Sequence, residues 1–359
     1  AWDPAITSGR LANGLTYYVL PNHRPKGRAQ LWLAVNAGSA QEDEDQHGLA
    51  HFVEHMAFNG TRRFPKHEIT DFVQRSGQRI GPDVNALTSY DDTIYKLQLP
   101  TDKPERIKKG VSILRDFADG ITFDPTEVEK ERGVILEEWR LRRGASARVA
   151  AQHEATTNNP SVYITHKPIG HAETIKTATP KTMARYYRDW YRPDLMAVVA
   201  VGDFSGADIE ERIKTEFASL VNPSPERERP VVRLRYGTQT GVAIDTDPEL
   251  SQVKVELDNL LPHRPLETTT DFPYHVCGAQ QDNSTACGPS RWPGGISIAE
   301  WYDAGGGESG YIRVRPDSTN IIYAGSYAYL SRLDTKNGQQ RDIIPWPDNP
   351  MCHSAEDRK

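Results

Sequence analysis

Hydrophobic and polar residues alternate along the chain with two different periods. Leu15 to Leu20, bounded by Asn13-Gly14 and Pro21-Asn22, and the Leu-Trp-Leu-Ala-Val run within Gln30 to Ala37 carry the pattern of strands. After the acidic stretch Gln41 to Gln46 the period lengthens. Leu49, Phe52, Val53 and Met56 recur at three- and four-residue spacing, which predicts a helix with one apolar stripe. A second helix is expected over Lys66 to Ser76, a loop over Gly77 to Asp83, and a strand or strand pair rich in Thr, Tyr and Ile over Asn85 to Leu99. Asp102 to Phe117 suits a helix with Pro104 near its start, and Asp124-Pro125 opens a long helical run from Thr126 to about Arg143. Thr179-Pro180 opens a helix to Tyr191, Met196 to Val201 reads as a strand, and Ala207 to Leu220 as a helix.

These strands and helices do not alternate regularly, so the fold class is α+β. Asn222-Pro223-Ser224-Pro225 reads as an exit linker, giving a first domain over 1–225. Strands expected at Val231 to Arg235 and Val253 to Leu257 begin a second, partial domain over 226–273. Beyond Pro273, Gly, Pro, Ser and Trp accumulate and helical periodicity vanishes, so 274–359 is expected to be an atypical, loop-rich tail. Its glycine runs, Gly294-Gly295 and Gly305-Gly306-Gly307, lack the Lys and strand-helix context of a phosphate loop.

Composition adds bounds to this picture. A chain of 359 residues, 37% hydrophobic and 26% charged, describes an ordinary globular protein of more than one domain. A net charge of -6 supplies no basic field to draw nucleic acid, and Arg140, Arg142 and Arg143 stand beside Glu137 and Glu138 as a solvated helix face. The longest apolar run, Leu195 to Val201, is far below the ~20 residues of a transmembrane helix and is expected to be a buried strand. A start at Ala1 without a basic and apolar leader fits an exported, processed protein and a trimmed one equally. Cys277, Cys287 and Cys352 have neither metal-ligand spacing nor an even number, so no disulfide framework is expected.

The candidate chemistry lies in His51-Phe52-Val53-Glu54-His55. Two histidines four residues apart on a helix present both imidazoles on one face, one turn from each other, where they can grip one ion. Glu54 can point toward the same face, where a carboxylate could take a proton from water activated by the metal. The order H-x-x-E-H is that of the inverted zinc peptidases. Such chemistry needs a third protein ligand. Glu131 and Glu138 on the long helix are two turns apart and share a face, so either could reach the metal, while Glu137 points elsewhere. His47 is an alternative ligand, but its place reads better as a helix start. His67, His153, His166 and His171 lack partners at ligand spacing and read as structural or surface residues.

The residues His47 to Thr61, with Val84 to Thr88 and Thr93-Ile94-Tyr95, resemble the zinc peptidase family of insulinase, pitrilysin and the mitochondrial processing peptidase, most closely its periplasmic bacterial members. Pro168-Ile169-Gly170, Trp190-Tyr191-Arg192-Pro193 and Val201-Gly202-Asp203 extend the likeness. The resemblance implies a mostly antiparallel sheet packed against helices, one Zn2+ held by His51, His55 and Glu138, Glu131 in support and Glu54 as general base. It also implies a substrate-side strand at Asn85 and Ala86, peptide substrates, and a periplasmic or secreted location, although a cytoplasmic one stays open. Family members carry a homologous second half that closes over the site. Within these 359 residues no such half is expected, nor is the pattern expected to continue after Phe272. Two readings therefore stand: a zinc endopeptidase, or a noncatalytic or partner-dependent zinc-binding pseudo-peptidase subunit.

Overall fold

The computed structural model describes residues 3–157, 161–230, 232, 242–250, 275–279, 285–289, 301–305, 312–315, 318–326 and 329–343. The chain divides into two compact units, Ala5–Leu260 and a second made mainly of Leu261–Lys359.

In the first unit the elements are β1 (Thr7–Arg10), β2 (Thr16–Pro21), β3 (Arg28–Val35), α1 (Leu49–Asn59), α2 (Glu68–Arg75), β4 (Val84–Thr88), β5 (Thr93–Pro100), α3 (Pro104–Asp119), α4 (Pro125–Leu141), α5 (Ala145–Thr157), α6 (Val162–Thr165), α7 (Ala172–Thr177), α8 (Pro180–Trp190), β6 (Met196–Gly202) and α9 (Gly206–Phe217). The strands form one sheet in the order β1-β2-β6-β3-β5-β4. Only β2 and β6 pair in parallel, Thr16 opposite Ala197; the other pairs are antiparallel. β3, β5 and β6 alternate buried and half-buried positions, as strands do when one face is covered. Leu31, Leu33, Leu97, Leu99 and Val198 point into a core shared with Phe52 and Met56 of α1, Phe117 of α3, Tyr186 and Trp190 of α8 and Phe217 of α9. Each such side chain contributes about 1.5–3 kcal/mol when fully buried, so this layer holds the sheet against its helices.

The elements expected from periodicity are present, and the expected loop at 77–83 contains turns. β1, α5 and the short helices α6 and α7 were not foreseen: β1, α6 and α7 are too short to show a period of their own, and α5, rich in Ala, carries no clear apolar stripe. The strands expected at 231–235 and 253–257 lie outside the described residues, apart from Val232, which is in neither helix nor strand.

In the second unit the expectation of loops does not hold for the described residues. β7 (His275–Ala279), β8 (Thr285–Pro289) and β9 (Tyr302–Asp303) form one sheet, and β10 (Ile312–Arg315), β11 (Ser318–Ser326), β12 (Tyr329–Asp334) and β13 (Gln339–Asp342) form an antiparallel meander. Short alternating runs such as Ile312 to Arg315 are strands despite the Gly- and Pro-rich setting. Cys277 and Cys287 are directly opposite across β7 and β8 and form a disulfide, a pairing that odd cysteine arithmetic concealed. No helix among the described residues is long and apolar enough to cross a membrane.

Candidate metal centre

The α1 helix starts from a backbone that only tight packing allows. Gly48, at φ +97°, precedes it, and Gly170, at φ +71°, lies against Gly48 so closely that a Cβ on Gly170 would sit 2.3 Å from the Gly48 Cα. The first N–H groups of a helix lack intrahelical partners. Here the Glu42 carboxylate accepts from Gly48 at 2.9 Å and Ala50 at 2.8 Å. Burial pushes Glu42 well above the usual carboxylate range, while these donors pull the other way. At α4, the Asp124 side chain accepts from the N–H groups of Thr126 and Glu127, and Pro125 occupies the first turn, where no N–H is needed.

These two helices, α1 and α4, bring His51, His55 and Glu138 together. The Nε2 atoms of His51 and His55 are 3.2 Å apart, and Glu138 Oε2 lies 3.7 Å from the first and 3.6 Å from the second. A tetrahedral zinc ion with bonds of about 2.0–2.1 Å separates its ligands by about 3.3–3.4 Å, so the three atoms fit one triangular face of such a shell. Two facing imidazole nitrogens need either a proton between them or a cation before both. His51 is buried, and its pKa falls to about 3 through burial, then the charges of His55 and Arg142. For His55 burial also disfavours charge, but the hydrogen bond with Glu131 and the charges of Glu54, Glu131 and Glu138 outweigh it and raise the pKa. Positive charge is thus drawn to this point among three carboxylates.

Glu131 holds one imidazole in place. Its Oε1 meets His55 Nδ1 at 2.7 Å and its Oε2 accepts from Asn59 Nδ2 at 2.6 Å. An Nδ1–H donated to the carboxylate leaves the His55 Nε2 lone pair facing the metal position. Burial opposes charge on Glu131, but the bonds from His55 and Asn59 win and lower its pKa. Glu138 in turn pairs with Arg142, one turn on, whereas Glu137 faces solvent and pairs with Arg140.

Glu54, 7% exposed, accepts from Thr88 Oγ1 at 2.6 Å through Oε2. Burial raises its pKa and the Thr88 hydroxyl opposes the rise. Thr88 ends β4, an edge strand of the sheet, which also carries Asn85 and Ala86. Asn85 is exposed, and its Oδ1 accepts from the Ala86 N–H at 2.9 Å. Thr88, Asn59 and Glu42 were not singled out from sequence. Asn59 stands four residues after His55 and so could have been found by helix spacing; Thr88 and Glu42 reach the helix only through tertiary packing.

A second histidine group was also missed. His47 does not join His51 and His55 but lies with His166 and His171, each ring centroid 4.5 Å from its own. Burial lowers the His47 pKa, Glu44 raises it, and the two neighbouring imidazoles lower it further.

Comparison with known proteins gives this geometry a context. The sequence profile of insulinase, peptidase family M16, matches residues 17–160, and that of the peptidase M16 inactive domain matches 177–258. The probable zinc protease PqqL of Haemophilus influenzae is 39% identical over 222 residues, 62% of this chain and 24% of the relative. The zinc protease PQQL-like of Arabidopsis thaliana is 38% identical over 265 residues, 74% of this chain and 28% of the relative. The crystal structure of the periplasmic protease PqqL from Escherichia coli superposes with a TM-score of 0.62 at 35% identity, covering 66% of this chain and 26% of that one. The chain therefore spans about a quarter of the length of these relatives. With both family profiles and these relatives in agreement, the chain belongs to the insulinase family of peptidases, M16.

Proposed function

We propose that this chain is the metal-bearing part of a zinc-dependent endopeptidase that hydrolyses peptide bonds in peptides or small unfolded proteins. The observation that carries the reading is the convergence of His51 Nε2, His55 Nε2 and Glu138 Oε2 at ligand spacing, with the buried Glu54 carboxylate on the same helix. Two imidazoles and one carboxylate are a donor set suited to zinc, with a position left open for water. When bound, the ion acidifies water and polarises the scissile carbonyl.

His51, His55 and Glu138 hold the ion, and Glu131 orients His55 from behind. Glu54 acts as the general base: Thr88 anchors its Oε2, leaving Oε1 to take a proton from water and pass it to the leaving amine. Burial makes this carboxylate more basic than one in solvent. An extended substrate adds to the free edge of β4, where a peptide carbonyl replaces the Asn85 side chain as the acceptor of the Ala86 N–H. The site belongs to residues 1–225, and a second family-like domain starts within 226–273.

The length of the relatives favours a requirement for more chain, a complementary half or a separate subunit that closes the site; the second reading is that this chain is a partner-dependent zinc-binding subunit, inactive alone. A periplasmic location is supported by the named location of the Escherichia coli neighbour and by the Cys277–Cys287 disulfide, which persists in oxidising compartments. The test is Glu54→Gln, assayed for zinc content and peptide cleavage in this chain and in one extended by a family-like second half. Zinc is expected to stay and hydrolysis to vanish. Persistent cleavage by the variant rejects the general base. Cleavage by the extended native chain alone selects the partner-dependent reading.

A further inference from the structure

We propose that Glu44, His47 and His166 form a second site for a divalent transition cation such as Zn2+, and that this ion pins the segment 161–171 to the start of α1. One ligand atom from each of the three residues lies within 4.8 Å of the others, a group distinct from His51, His55 and Glu138. His47 Nε2 is 3.4 Å from Glu44 Oε2, and the His47 and His166 rings meet edge to face at 68°. His171, itself exposed, flanks the His47 ring at a tilt of 32°.

Three features set this group apart from ordinary packing of histidines. His47 is 5% exposed, yet its Nδ1 is buried without a hydrogen-bond partner and its Nε2 has only the long contact to Glu44. Buried polar groups in folded proteins are almost always paired, so such an imidazole calls for a ligand. Secondly, the acidic residues 42–45 are not equivalent. Glu42 is taken up by helix N–H groups, Asp43 by Arg227 and Asp45 by Arg185, whereas Glu44 faces His47 with its side chain 93% exposed. A flexible carboxylate beside two nearly buried imidazoles can swing in to complete a donor set of two nitrogens and one oxygen, water filling the remaining position. Thirdly, His166 is held from behind. Its Nε2 meets the Glu42 carbonyl at 3.1 Å and its Nδ1 meets the Thr165 hydroxyl at 2.8 Å. The carbonyl can only accept, so Nε2 carries the proton and Nδ1 the lone pair; coordination at Nδ1 displaces the Thr165 hydroxyl alone.

The three ligands come from the acidic turn, the residue before Gly48 and the end of α6. An ion here therefore cross-links residues far apart in sequence at the point where Gly48 and Gly170 already touch.

The full chain saturated with Zn2+ and freed of excess should hold two ions, Glu44→Gln and His166→Gln one, and His51→Ala one, retained at the second site. Because Glu44 is exposed, Glu44→Gln should leave the fold unaltered even where His166→Gln does not fold. In a Co2+ titration the second equivalent should add visible absorption that Glu44→Gln weakens by at least about tenfold in affinity. Amide hydrogen exchange across residues 162–167 should slow when the second equivalent binds. A native chain with a single ion, or a Glu44→Gln chain that binds two as tightly as the native one, would overturn the site. Exchange across 162–167 that ignores the second ion would overturn the pinning role.

Discussion

Glu131 offers the sharpest test of how the metal centre is held, because among the expected metal ligands it touches His55 alone. Both of its oxygens are engaged, one with His55 Nδ1 at 2.7 Å and one with Asn59 Nδ2 at 2.6 Å. Glu131→Ala removes both hydrogen bonds and leaves the His55 N–H without an acceptor in a pocket where its side chain is 22% exposed. An unsatisfied, mostly buried donor costs about 1–3 kcal/mol. Partners of this kind behind a metal ligand change affinity by about 10- to 100-fold, which is the same range of energy. Glu131→Gln keeps one oxygen for His55, and Asn59 can turn its amide to meet the new NH2, so geometry survives and only charge is lost. The expected order of zinc affinity is native, then Glu131→Gln near the lower end of that loss, then Glu131→Ala near the upper end. Competition with a chromophoric chelator measures it, and urea unfolding of the metal-free proteins separates loss of fold from loss of affinity. Should Glu131→Ala bind zinc as tightly as the native chain, the carboxylate–His55 bond does not position the ligand.

Thr88→Val removes the hydroxyl that anchors Glu54 at 2.6 Å; peptide hydrolysis by a chain competent for it is expected to fall by about tenfold or more while zinc content stays, read from kcat beside metal analysis. Gly170→Ala forces a Cβ to within 2.3 Å of the Gly48 backbone at a φ of +71°, and denaturant titration should show a loss of about 1–3 kcal/mol. In acid, Glu216 should lose a stabilising role: burial opposes its charge, but Arg63 and Ser112 prevail and lower its pKa. Its contribution is therefore present above the ordinary carboxylate range and lost as pH falls through the lowered value, so Glu216→Gln should flatten the acid side of a stability–pH curve.

What the sequence determined by itself is what depends on neighbours in the chain. The spacing of His51 and His55 places two imidazoles on one helix face whatever surrounds it, and the same holds for the shared face of Glu131 and Glu138 and for the alternation of β3 and β5. Resemblance to a family then separated Glu138 from Glu131, which spacing could not. Tertiary structure decided the rest. Whether Glu138 meets the histidines depends on α4 packing against α1, and whether Thr88 meets Glu54 depends on the edge strand lying beside that helix. His47 and His166 are a hundred and more positions apart, so no periodicity could join them; two glycines at positive φ bring their backbones together. The strands and disulfide of the C-terminal unit were hidden for a related reason. Their pairing is cross-strand, and a Gly- and Pro-rich composition records turns more clearly than partners. Local periodicity is a property of the chain, whereas a ligand set is a property of the surfaces that packing brings face to face.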